Sequence, residues 1–250
     1  MLIASASMAL ALTSPLAGQA ETFDKIEAET VRAADQALKQ TESVATSVSF
    51  AFDYLAAFVG EAGPPSAVIQ AELQATTERL EGVRSVLIVG KDGTLLYDSF
   101  TDPAPAVNLG NRKYVKDALE KPGLQISETV VGRSSGFPFV PMAAYKPSID
   151  AVLTAITDVR KLKEPLDWCF NTCGGVILSS DGKIIVSSPA ETTISEETIA
   201  GIVRHKDDSG TFVQESGNIS ILFAFRKSER FPFIVLASRA FAPIGSVATE

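Results

Sequence analysis

The sequence predicts an α+β protein, with one long N-terminal helix followed by two similar lobes on antiparallel sheets. Three observations carry that reading. Residues 23–59 contain neither glycine nor proline and are rich in alanine, glutamate, glutamine and lysine. A strand, an Asp-Gly turn and a second strand occur twice, at Val86–Ser99 and at Gly175–Ser188. Each copy is then followed by a helix-like segment and three strand-like runs.

In the long helix, Ala34, Leu38, Thr41, Ala45, Val48, Phe52, Leu55 and Val59 recur at alternating steps of four and three, the spacing of a heptad seam. Phe50, Tyr54 and Phe58 add a second apolar stripe. The N-terminal half is therefore expected to be a stalk that pairs with a second copy, and the C-terminal half to lie on a globular body. Gly60, Gly63, Pro64 and Pro65 end the helix, because glycine takes the left-handed cap and proline cannot continue the ladder. Ser66 is expected to cap a second helix running to about Leu80.

The two copies of the repeat align Asp92-Gly93 with Asp181-Gly182 and Ser99 with Ser188. Asp-Gly suits a hairpin because glycine reaches positive φ without a Cβ clash. The following helices are expected at Asn111–Glu120 and Glu196–His205. The strands after them are expected at Leu124–Val131, Phe137–Lys146 and Ala151–Thr157, then at Thr211–Glu215, Ile219–Arg226 and Phe231–Ser238. Such order suggests antiparallel sheets with helices gathered on one face. The expected boundaries are 21–82 for the two helices, 83–165 for the first lobe, 166–242 for the second and 243–250 for a tail.

Composition removes several function classes. A net charge of −8 leaves no basic groove for nucleic acid. Two cysteines and one histidine exclude most Cys/His metal sites, and any catalytic triad would depend on His205, which reads as a solvated residue at a helix end. Neither a Gly-x-Ser-x-Gly elbow nor a phosphate loop occurs, so no enzyme activity and no cofactor is expected. Residues 1–20 form an apolar, uncharged run ending at Gly18-Gln19-Ala20, which reads as a signal peptide or a truncated transmembrane segment; either places the remainder across the membrane.

With these elements in order, the chain resembles the double Cache family of extracytoplasmic sensors. The resemblance spans residues 22–242 and rests on the long helix, the VLIVGKDGTLLYDS turn, the LGNRKYVKDAL helix and the GRSSGFPFVPMAAYK hairpin. It implies two PAS-like lobes, with a ligand held between helix and sheet of the membrane-distal first lobe and the second lobe near the membrane. It also implies the sensing end of a histidine kinase, diguanylate cyclase or chemoreceptor. The run Arg112-Lys113-Tyr114-Val115 departs from the aromatic pair that amino-acid-binding members carry after the helix arginine. A receptor fragment and a secreted soluble periplasmic binding protein both remain open.

Residues expected to recognise the ligand follow. Arg112 and Tyr114 start the first-lobe helix, offering a bidentate fork and one orienting hydroxyl. Arg133, Ser134, Ser135 and Gly136 form a loop between strands. Tyr97, Tyr145 and Asp158 lie on strand positions that could face the same pocket. Two arginines near one pocket point to a small carboxylate. The second-lobe helix lacks the Arg-x-Tyr pair, so no ligand is expected there. Cys169 and Cys173, between the lobes, suit a short disulfide in an oxidising compartment.

Overall fold

A computed structural model describes residues 16–61, 63, 65–133, 135–169, 172–189, 194–216 and 219–241. The apolar start before residue 16, Ser134 and the tail at 243–250 lie outside the described residues. Helix α1 spans Leu16–Gly60 and α2 spans Ser66–Glu78. The first sheet then contains β1 (Val83–Gly90), β2 (Leu95–Asp98), β3 (Gln125–Ile126), β4 (Val130–Val131), β5 (Pro138–Lys146) and β6 (Ala151–Thr157), with α3 (Lys113–Glu120) between β2 and β3. After the short helix α4 (Val159–Lys163), the second sheet contains β7 (Cys173–Ser179), β8 (Ile184–Ser188), β9 (Ser209–Ser216), β10 (Ile219–Lys227) and β11 (Phe233–Phe241), with α5 (Glu196–Arg204) between β8 and β9.

The strand orders are β2-β1-β6-β5-β3, with β4 also paired to β5, and β8-β7-β11-β10-β9. Every pairing is antiparallel. The two sheets are thus one topology used twice. Their first turns agree in detail: Gly90 N–H donates to Thr94 O at 2.8 Å, and Ser179 N–H donates to Lys183 O at 2.8 Å. Gly93 and Gly182 take φ of +88° and +85°, the left-handed residue that this hairpin requires.

Helices cover both faces of each sheet, not one face as the element order suggested. On the first sheet, Val86, Ile88 and Leu153 pack with α1 and α2, while Leu87, Val89 and Val152 pack with α3. The physical reason lies in β1 and β6, whose residues are apolar at consecutive positions and so have two faces to bury. On the second sheet, Ala224 and Ala237 meet Ala33 and Ala34 of α1, and Val176, Phe223 and Phe225 meet α5.

The heptad seam of α1 is spent within the chain. Ala34, Ala45, Val48, Phe52 and Leu55 have no exposed surface, and Thr41 is 1% exposed. By length and composition this helix is apolar enough to cross a membrane, yet its apolar stripe is covered by the two sheets. The N-terminal half is likewise no free stalk. Glu27 accepts from Thr211 Oγ1 at 2.8 Å, Asp35 from Arg226 Nε at 2.6 Å and Glu42 from Ser228 Oγ at 2.6 Å, and Glu29 pairs with Arg239. Farther along, Asp53 pairs with Lys146 of β5 at 2.5 Å. The stripe left outside carries Phe50 at 68% exposure and Tyr54 at 48%.

Three local expectations change. Pro65, not Ser66, is the residue before α2, and no side chain caps it; Ser66 is already helical because proline presets the entry. Helix α3 starts at Lys113, with Arg112 extended at its N-cap. The run Leu124–Val131 is two short strands, since only Gln125–Ile126 and Val130–Val131 pair with β5. His205 follows α5 as its C-cap and is half-exposed.

Candidate ligand cavity of the first lobe

A cavity of about 620 Å³ opens on the α3 side of the first sheet. Leu87, Leu95, Phe139 and Ile156 of the sheet form its floor. Segment 99–112, between β2 and α3, and the 132–137 turn form its walls. Segment 99–112 is pinned at both ends. Leu109 N–H donates to Gly93 O at 2.7 Å, and Gly93 sits so close that a Cβ there would lie 2.4 Å from Gly110 N. At the other end Ser99 is buried, and its Oγ accepts from Val86 N–H at 2.9 Å.

Four of the residues expected from the sequence meet at this cavity: Arg112, Tyr114, Arg133 and Ser135. Arg112 donates through Nη2 to Val131 O at 3.2 Å, while its Nε is buried with no acceptor among the described residues. Arg133 is held by Asn108 O at 3.2 Å and Asn111 Oδ1 at 2.9 Å. Tyr114 is 3% exposed and stands edge-on to Phe139 at 6.3 Å. Burial pushes its phenol up, and the positive charges of Arg112 and Arg133 pull the other way. A tyrosine hydroxyl in one cavity lining with two guanidinium groups is a donor-rich arrangement, suited to an oxygen-rich anion.

Tyr97, Tyr145 and Asp158 lie elsewhere. Between Ile88 and Val89 the β1–β2 register slips, so Val89 faces Leu95 while Ile88 faces Tyr97. That slip reverses the alternation and turns Tyr97 toward α1 and α2, where it packs on the main core. Tyr145 is six residues past Phe139 on β5, about 20 Å at strand rise. Its hydroxyl donates to Asp150 at the far turn. Asp158 caps α4 and pairs with Arg84 at 2.9 Å and Arg160 at 2.8 Å. The Arg160 guanidinium foremost, with its backbone N–H and Arg84, holds that carboxyl well below the usual carboxylate range.

Through Arg84, Asp158 still matters to the site, because Arg84 lines the cavity with Ser85 and Asp98. Sequence reasoning missed these three. Asp98 aligns with Ser187 in the second copy, and that change of charge between copies was the available signal. Asp98 Oδ1 accepts from Ser85 Oγ at 2.6 Å and Phe100 N–H at 2.9 Å. Behind it runs a row of hydroxyls across the sheet: Ser85 to Ser99 is 3.2 Å, and Ser99 to Thr77 of α2 is 2.9 Å.

The second sheet carries larger side chains at the positions that correspond to β5. The ladder Ser85–Ile156–Pro141 corresponds to Gly174–Ser238–Phe223, and Leu87–Thr154–Ala143 corresponds to Val176–Leu236–Phe225. Proline and alanine on β5 are thus replaced by two phenylalanines on β10. Phe212 stacks on Phe223 at 5.0 Å, and both pack in the cluster with α5.

No protein-family model and no curated protein sequence matches the chain. Solved structures do. The extracellular domain of rpHK1S-Z16, assigned as a histidine kinase, superposes with a TM-score of 0.71 at 20% identity, covering 90% of this chain and 97% of that one. This chain has the double Cache fold. The ligand-binding domain of the Campylobacter jejuni chemoreceptor Tlp3, solved with 4-methylisoleucine, gives a TM-score of 0.62 at 12% identity, covering 88% and 92%. That of the Pseudomonas aeruginosa PAO1 amino acid chemoreceptor PctC, solved with GABA, gives 0.62 at 17%, covering 88% and 100%. Cys169 and Cys173, between the two Cache lobes, form a disulfide with Cα atoms 5.4 Å apart.

Proposed function

We propose that the chain is an extracytoplasmic sensing domain of a bacterial signalling receptor that binds a small carboxylate in its first-lobe cavity. The observation that carries this is the meeting of Arg112, Arg133 and Tyr114 in one cavity lining, with the Arg112 Nε buried and without an acceptor among the described residues. The disulfide fits an oxidising compartment, and extracellular ligand-binding domains share the fold. In this reading the first lobe is membrane-distal, residues 1–20 lead to the membrane, and the second lobe passes ligand-induced shifts along α1. Pairing of two copies through α1 falls to the stripe with Phe50 and Tyr54, since the seam itself is buried.

Asp98 favours a second reading, an α-amino acid, because a carboxylate in the same cavity is a counter-charge for an ammonium. A thermal-shift screen tests the pair. Carboxylates are expected to raise the melting temperature, and Arg112→Ala to weaken their binding about tenfold or more. Stabilisation by amines alone would exclude both carboxylate and amino acid.

A further inference from the structure

The carboxylate reading accounts for one wall of the cavity and leaves most of it unused. A two- to four-carbon acid occupies a small part of about 620 Å³, a volume in the range of sites that take drug-sized molecules. Apart from Arg84, Ser85, Asp98 and Thr101, the remaining lining is largely apolar, with Leu87, Leu95, Val107, Leu109 and Ile156. Water against such a surface gains little, so the wall favours an occupant with a hydrocarbon body.

Its shape is indicated by four rings from three parts of the chain. Tyr114 and Phe139 stand edge to face within the cavity lining. Phe100 and Phe137 line the same cavity from separate segments, yet are 82% and 63% exposed. Two phenylalanines left open to solvent beside one cavity form an apolar rim that an inserted ring would cover.

We propose that the preferred ligand is an aryl-substituted carboxylate, its ring among Phe100, Phe137, Phe139 and Tyr114 and its carboxylate toward Arg112 and Arg133. This rests on the carboxylate reading and adds the body of the molecule. Titration calorimetry on the full chain tests it with phenylacetate, indole-3-acetate, acetate, succinate, L-alanine and GABA, and with phenethylamine as the ring without a carboxylate. Phenylacetate or indole-3-acetate is expected to bind at least about tenfold tighter than the four small acids. The double variant F100A/F137A is expected to weaken the aryl acids about tenfold and leave the small ones unchanged. Both side chains are largely exposed, so the fold does not depend on them. Small acids binding as tightly as aryl acids, or unchanged aryl affinity in the double variant, would overturn the aryl assignment and leave the carboxylate reading intact. Binding of phenethylamine without phenylacetate would overturn both.

Discussion

At the scale of single residues, the cavity shows how a side chain can serve a site it does not touch. Asp158 lines no part of it, yet holds Arg84, which does. Because its folded-state pKa is depressed, the stability Asp158 contributes is present above the unfolded carboxylate value near 4 and is lost as pH falls through the folded value. Asp158→Asn is therefore expected to cost about 1 kcal/mol at pH 7. The difference from the parent should shrink as urea melts are repeated below about pH 4. A gap of constant size across that range would assign the loss to helix capping alone. Ser99 is a second such residue. Its buried hydroxyl accepts from the Val86 N–H, so Ser99→Ala should cost about 1–3 kcal/mol by leaving that donor unmet, without altering the cavity lining.

At the scale of elements, the two Asp-Gly turns are alike in conformation and unlike in surroundings. A Cβ on Gly93 would meet the backbone of Gly110 at 2.4 Å, whereas one on Gly182 would meet the Ile199 side chain at 2.9 Å. Backbone cannot step aside, and a methyl group can. Gly93→Ala should therefore destabilise more than Gly182→Ala, by about 1–3 kcal/mol against about 1, in parallel denaturant titrations. Equal losses would mean that positive φ alone sets both penalties. The turns, the two helices that follow them and the antiparallel pairing were legible because Asp-Gly, alternation and strand length are local signals. Less local events were not. Tyr97 was assigned to the wrong face because a register slip leaves no mark in a run of apolar residues. Tyr145 faces the right side but stands too far along β5, a distance that depends on where α3 settles. Arg84 and Asp98 are recognisable only after segment 99–112 folds over them, although that segment's greater length in the first copy was visible.

At the scale of the whole molecule, α1 is the common backing of both lobes. The heptad spacing correctly identified an apolar seam, but spacing does not say whether a partner helix or the chain's own sheets cover it. Phe52 and Phe50 separate the alternatives. Phe52→Ala should cost about 3–5 kcal/mol, and Phe50→Ala less than about 0.5, in thermal or urea unfolding. A mild Phe52→Ala would mean that the sheets do not hold this stretch of the seam. The lobes differ in a comparable way: phenylalanines stand on β10 where proline and alanine stand on β5, so a duplicated topology carries two differently packed sheets. The row from Thr77 through Ser99 and Ser85 to Asp98 then links the cavity side to the helices behind the sheet. A hydroxyl has a single proton, so such a row has a direction, and here the carboxylate at its end orients Ser85 and Ser99 toward the cavity. At its α2 end the single Thr77 proton has two acceptors in reach, Ser99 Oγ at 2.9 Å and Leu73 O at 2.8 Å, so the rotation of one hydroxyl couples the row to the helix or releases it while no backbone atom need move.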